Sequence, residues 1–315
     1  MDRNLLAVLG RDRNNWIING DMRIAQRGDY TSPVTDSALG ANEGAYSLDR
    51  WKTKEIGEDG SIQQVSVAQP PQLSGSKSIK IALIDDAFDA VNGASQMIED
   101  YDLLAGLPVV VSAYVKSNTP YARLMLSDGV SSHPKDTTHP GDESWQRLVL
   151  PVTLSAVATQ VQVHLWISSE TGGLAPVTIG DYIEFTGVKV EIGTVPSPFI
   201  PRLTADEALL CKRYYNRIAN RGEMIVSGYM YLGYSFFGTL RYPEMRIPPT
   251  AHISGQTHVE LWGSWVNSTS AGIAESGTRS CRMWIVPAGE QPLNVGRAVW
   301  VEDVAGYHFS LDAEL

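Results

Sequence analysis

At 315 residues with a formal net charge of −10, the chain is long enough for two cores, and its charge argues against nucleic acid, which is bound by neutralising phosphates. Hydrophobic residues make up 43% and charged residues 19%, with 28 Gly and 17 Pro; this balance favours β-structure interrupted by many turns. No run of 18 apolar residues occurs and Leu5 to Leu9 is too short for a signal segment, so neither a membrane span nor a secretion signal is expected.

Residues 1–13 read as a charged arm with one apolar turn. It is either a frayed terminus or a plug, through Leu5, Leu6, Val8 and Leu9, into a partner protein. Residues 14–201 read as one β-domain. Apolar and polar residues alternate over Ser61–Gln69, Lys77–Asp85, Leu107–Ser117, Ala122–Asp128, Thr159–Ser169 and Tyr182–Glu191. Turn-rich pieces separate these runs, as in a two-sheet sandwich of jelly-roll type. Within Asp89–Gly106, the stretch Ala94–Tyr101 is expected as an edge strand.

Pro196, Pro198 and Pro201 then make a stiff, extended connector. Thr204, with Glu207 three residues on, predicts a capping box and a linker helix within 202–222. Ala208, Leu209, Tyr215 and Ile218 are expected on its buried face. Residues 223–315 read as a second, smaller β-sandwich. Cys211 and Cys281 fall in different domains, make no metal-ligand spacing and read as free thiols of a protein made in a reducing cytoplasm.

Three constellations are candidates for function. Along Val161–Ser168, Val161, Val163, Leu165 and Ile167 share the core face, which puts Gln162, His164 and Trp166 on the other. An open indole beside an amide and an imidazole suits a pyranose: the ring stacks on the apolar sugar face and the polar groups take hydroxyls. Tyr114 and Lys116 on one neighbouring run, and Tyr121 and Arg123 on the next, are expected to extend that surface. The competing reading covers Trp166 with a loop or a second subunit. Asn19, Asp21 and Glu184, with Asp49 nearby, are candidate oxygen ligands for a structural calcium, although no dense acidic loop is present. His133, Asp136, His139 and Asp142 could hold a metal, but the surrounding Pro and small polar residues favour a mobile surface loop. In the second domain, Trp262, Trp265, Trp284 and Trp300, and the alternating Tyr229, Tyr231 and Phe237, suit a subunit interface. No nucleophile elbow, zincin helix or phosphate loop occurs, and adjacent acids such as Asp85–Asp86 point to opposite faces of a strand. No enzyme and no required cofactor are therefore expected.

Four motifs occur in order: NNWIINGDMRIAQRG with YSLDRW; GVKVEIG followed by PSPF; the helix-forming run ending in CKRYY; and LRYPEMRIPPTAHISG with FSLDAEL. In this order they resemble a module of bacteriophage and prophage virion proteins. There a jelly roll similar to a carbohydrate-binding module precedes a linker helix and a smaller β-domain. The resemblance covers almost the whole chain beyond the first dozen residues. It implies a tail-fibre or head-spike protein, homo-oligomeric and trimeric by expectation. Its partners would be other virion proteins and a bacterial surface polysaccharide, and its location the virion. A calcium between first and last strands, held by Asn19, Asp21 and Glu184, is part of what the resemblance implies. The alternatives are a purely structural adaptor or spike base, and a capsule-degrading enzyme.

Overall fold

The computed structural model describes residues 15–35, 46–56, 60–65, 73, 75–84, 89–133, 137–169, 175–218, 223–226, 228–231, 235–253, 258–261, 264–274, 276–287, 299–301 and 309–314. The arm at 1–13 lies outside them. Among the described residues the chain is β apart from one α-helix and a 3-10 turn at Tyr101–Leu103, and it divides into two compact units, Met1–Glu207 and Ala208–Leu315.

The first unit is a jelly-roll β-sandwich of twelve described strands: β1 (Val34–Thr35), β2 (Lys52–Ile56), β3 (Gly60–Val65), β4 (Ser78–Leu83), β5 (Asp89–Met97), β6 (Pro108–Ser117), β7 (Ala122–Ser127), β8 (Ser132–His133), β9 (Gln146–Thr153), β10 (Gln162–Ile167), β11 (Ala175–Pro176) and β12 (Tyr182–Ile192). One sheet has the order β1-β3-β4-β12-β6-β9; the other runs β11-β5-β10-β7-β8, with β2 also paired to β5. All pairings are antiparallel.

The core forms between the sheets because each strand alternates. Ile79 and Ile81, Val109 to Val115 at odd positions, Leu148, Leu150, Ile183 and Phe185 project from one sheet, and Ala94, Ala122, Leu124, Leu126, Val163, Leu165 and Ile167 from the other. Trp51 meets Phe185 edge to face at 5.4 Å. Two readings of the strands need correction. β5 begins before Ala94 and lies inside its sheet, between β10 on one side and β2 and β11 on the other, strands remote in sequence that the local pattern does not record. β9, which the turn-rich residues before it conceal, closes the opposite sheet; its Pro151 has no N–H to donate and is accommodated on an edge strand.

Helix α1 (Thr204–Lys212) is shorter than expected. Tyr215–Arg217 (β13) leaves it as a strand and pairs with Phe309–Asp312, since aromatic residues gain more from a half-buried ladder than from another helical turn. Cys211 and Glu207 are buried, whereas Leu209 is exposed, contrary to the expected apolar face. The capping box does not form. The Thr204 hydroxyl accepts from Arg23 at 2.7 Å, and the Glu207 carboxylate accepts from Arg202 at 3.1 Å and from the Asn19 backbone N–H.

In the second unit the remaining strands are β14 (Glu223–Val226), β15 (Gly228–Tyr231), β16 (Ser235–Arg241), β17 (Thr250–Ile253), β18 (His258–Leu261), β19 (Ser264–Ala274), β20 (Ser280–Pro287), β21 (Val299–Val301) and β22 (Phe309–Asp312). They form sheets ordered β15-β16-β20-β19-β18, β13-β22-β17 and β14-β21. Phe236, Leu240, Tyr242, Cys281, Met283, Ile285 and Leu311 make its core. Burial there pushes the Cys281 thiol up to about 11 and the Tyr242 hydroxyl to about 12. Phe237 pairs across the ladder with Trp284, both half-buried. The side chains of Tyr229, Tyr231, Trp262, Trp265 and Trp300 lie outside the described residues.

Candidate functional site

The residues expected to form one surface fall on two sheets. β6 belongs to one and β7 to the other, because the arch Ser117–Tyr121 carries the chain across the sandwich. The Ser117 hydroxyl fixes that arch by donating to the Tyr182 carbonyl at 2.5 Å and accepting from the Thr119 N–H. Tyr114 and Lys116 therefore sit on the outer face of the β12 sheet, away from Arg123 and Trp166.

On the β10 face, Gln162, His164 and Trp166 do share one side. Across the ladders they oppose Ser127, Met125 and Arg123 of β7, and Met97, Ser95 and Gly93 of β5. The face is nevertheless closed. Trp166 and His164 are each 6% exposed and Arg123 is 3% exposed, so the expectation of an open indole is overturned. Trp166 packs with Val91 and Met125, its ring lies 4.0 Å from that of His164, and its edge rests on Gly93. A β-carbon at Gly93 would come 2.2 Å from the Leu165 carbonyl oxygen and 2.7 Å from the indole. Gln162 is half-buried and donates to the Ser95 hydroxyl at 3.0 Å. Tyr121 packs against the main core.

The calcium trio does not converge. The Asn19 carboxamide is occupied, donating to the Ile24 and Asp49 carbonyls and accepting from the Ile24 N–H. Asp21 pairs with Arg23 at 2.5 Å; burial raises its carboxyl above the ordinary value, Arg23 opposes this, and Glu207 adds to the rise. Glu184 accepts from the Ser78 hydroxyl at 2.6 Å on the outer face of the β12 sheet. Asp49 accepts twice from Gln26 at 2.6 Å, including from its backbone N–H, so it serves a turn. Among the described residues no group of three or more His, Cys, Asp and Glu comes together. The histidine loop is also built rather than loose at its second half. His139 is fully buried, its Nδ1 accepts from the Gly141 N–H at 2.9 Å and its Nε2 lies 2.8 Å from the Ser144 carbonyl. Both ring nitrogens are thus engaged. Asp136 and the His133 side chain lie outside the described residues.

What the fold does assemble is a row across the outer face of the β12 sheet. Gln63 (β3), Lys80 (β4), Glu184 (β12) and Lys116 (β6) stand in register across four strands. One step along, Thr186, Tyr114 and Arg147 do the same. Tyr182 closes one end, with the Lys80 ammonium 4.0 Å above its ring. Its hydroxyl is pushed up to about 12 by burial, with Glu143 and Glu184 adding to the rise. Tyr114 lies against a bulge at Gly187, whose φ of +60° suits glycine; a β-carbon there would come 2.6 Å from Leu73 and 3.0 Å from the Tyr114 ring. Lys80, Lys116, Tyr114 and Arg147 are half-buried, while Glu184 beneath them is 3% exposed. Burial raises its carboxyl, against the hydrogen bond from Ser78 and the charges of Lys116 and Lys80. The parity of the β6 residues marked Tyr114 and Lys116, but Lys80, Tyr182 and Arg147 join them only through non-local strand order.

At the edge of the same face lies a cleft of about 200 Å³ lined by Asn15, Lys189, Ser197, Phe199, Arg202 and Glu207, among others. Its polar groups serve one another. Glu191 accepts from the Ser197 N–H and hydroxyl, each at 2.7 Å, and pairs with Lys189 at 3.0 Å. Arg202 donates to the Ile17 and Asn15 carbonyls and to Glu207. This network holds the connector against the sandwich.

No family model matches the chain. Over 132 residues, 41% of its length, it is 26% identical to the non-reducing polyketide synthase pkiA of Emericella nidulans, of which that stretch is 5%. Among solved structures, the enzymatically active domain of tailspike protein 4 from bacteriophage CBA120 is similar with a TM-score of 0.36 and 14% identity, over 57% of this chain and 22% of that one. The C-terminal family 22 carbohydrate-binding module of Clostridium thermocellum Xyn10B gives 0.33 at 18% identity, over 50% of this chain and 99% of the module. The tandem family 22 modules of Paenibacillus barcinonensis Xyn10C give 0.32 at 11% identity, over 92% and 99% of the respective chains.

Proposed function

We propose that this chain is a non-catalytic virion component, of tail-fibre or head-spike type, that binds a bacterial surface polysaccharide on the outer face of its first sandwich. The observation that supports this best is the registered row Lys80–Glu184–Lys116 with Tyr182 and Tyr114 beside it. It offers several hydrogen-bonding heads and the half-buried Tyr114 ring on rigid strands, where a sugar polymer can run across them. The order of sequence motifs supports the virion setting, in which weak sites gain strength by repetition in an oligomer. A purely structural adaptor is the second reading. It is favoured by the closure of the β10 face, where His164 and Trp166 are already buried within one chain. The test is binding of the full chain to extracted host capsule, with Tyr114→Ala and Lys116→Ala beside it and an assay for new reducing ends. Capsule binding that weakens at least tenfold in the variants, with no release of fragments, is the expected result. A wild-type chain that binds no capsule leaves the adaptor, and fragment release makes the protein an enzyme.

A further inference from the structure

The row also carries information about which polysaccharide it takes. Lys80 and Lys116 come from strands on either side of β12, so their Cα atoms stand about 10 Å apart, two strand spacings. Among the described residues, neither ammonium is tied into an ion pair. Among the described residues the other cations of the face are committed: Arg147 to the Ser112 hydroxyl at 3.2 Å and the Ser197 carbonyl at 2.5 Å, and Lys189 to Glu191 at 3.0 Å. The carboxylate between the lysines is withdrawn from solvent: Glu184 is 3% exposed and takes the Ser78 hydroxyl at 2.6 Å. The face thus carries two half-buried lysines outside any ion pair, Lys80 with its ammonium 4.0 Å above the Tyr182 ring, and keeps its central acid inward, on a chain whose net charge is −10. At physiological salt, charges beyond a Debye length of about 8 Å are largely screened, so this local pattern decides what can lie on the face.

We propose that the ligand is an anionic polysaccharide, with carboxylate or other acidic substituents set along the polymer to meet Lys80 and Lys116. This rests on the sugar-binding reading above and specifies its ligand class. The row acts as a pair of point-charge contacts that select the acidic groups, while the neighbouring Tyr114 and Gln63 meet the sugar rings whatever their charge. Lysine suits this role because its ammonium is a compact charge on a flexible stem, able to follow irregular spacing along a polymer.

The experiment measures the full chain against dextran, carboxymethyl-dextran and dextran sulfate of equal length, which share one backbone and differ in charge. Carboxymethyl-dextran is expected to bind at least tenfold more tightly than dextran. A Lys80→Gln, Lys116→Gln double variant is expected to abolish that preference while any residual binding to dextran persists. Glu184→Gln, which removes the opposing charge and keeps an acceptor for Ser78, is expected to tighten carboxymethyl-dextran binding two- to fivefold. A circular dichroism melt of each variant shows that it is folded. Dextran sulfate reports whether the substituent must be a carboxylate: equal binding means that any acidic group serves, and the proposal stands. Equal binding of dextran and carboxymethyl-dextran, or a preference that survives loss of both lysines, overturns the anionic assignment and leaves the sugar-binding reading intact. Failure to bind these three polymers together with failure to bind host capsule overturns both.

Discussion

Glu184 shows how one buried carboxyl links stability to pH. Burial raises it above its ordinary value of 4.5, and the opposing contributions of Ser78, Lys116 and Lys80 do not cancel the rise. A carboxyl whose pKa rises on folding holds its proton more tightly in the folded chain. Its favourable contribution is complete below the unfolded value and is lost as pH climbs through the folded one. Glu184→Gln is therefore expected to raise the melting temperature at pH 7, and the gain should shrink to nothing below about pH 4. Thermal melts of both proteins from pH 3.5 to 8 check this, and a constant offset would contradict it. Gly93 makes a steric prediction at the same scale. Because a β-carbon there would sit 2.2 Å from the Leu165 carbonyl, a backbone atom in the middle of a paired strand, Gly93→Ala should cost about 2–4 kcal/mol in urea unfolding. A cost near zero would mean that the β10 backbone does not approach Gly93 this closely.

Between elements, what was legible in the sequence was parity, and what was not was partnership. Alternation along Val161–Ser168 separates Val163, Leu165 and Ile167 from Gln162, His164 and Trp166, as the structure does. Whether the second set is open depends on residues remote in sequence, and local spacing holds no record of them. In the same way β6 and β7 alternate correctly, yet the Ser117–Tyr121 arch sends them to different sheets and parts Tyr114 from Arg123. Glu207 is the helical counterpart. Its spacing from Thr204 is that of a capping box, but Arg202 and the Asn19 N–H claim its carboxylate, since a guanidinium makes the stronger hydrogen bond. Two substitutions test these assignments. Trp166→Ala should cost about 3–5 kcal/mol, as deletion of a buried aromatic does, and should leave capsule affinity unchanged. A loss of affinity with little loss of stability would reinstate the open-indole surface. Glu207→Ala takes the carboxylate from the Arg202 guanidinium and leaves the buried Asn19 N–H unmet, and should cost about 2–4 kcal/mol in the first unit.

At the scale of the whole chain, the two cores share no residue. The sandwich cluster runs from Ile17 to Val190, and the second cluster from Phe236 to Ala313. The network that fastens the connector, including Arg202, Glu207, Glu191 and Ser197, lies entirely within Met1–Glu207. A chain ended after Lys212 therefore retains the whole first core, the connector contacts and all of α1. It is expected to fold alone, unfolding in one cooperative step. It also retains Lys80, Tyr114, Lys116, Tyr182 and Glu184, so it should bind a short acidic oligosaccharide with the affinity per site of the full chain. On long capsule polymer the two should diverge if the second unit supplies the oligomer contacts, because linked sites multiply weak binding by about 10²–10⁴. Calorimetry with an oligomer and then with the polymer separates these effects. Equal affinity on both ligands would assign assembly to the sandwich. Weaker binding of the fragment to the oligosaccharide itself would mean that residues beyond Lys212 complete the site.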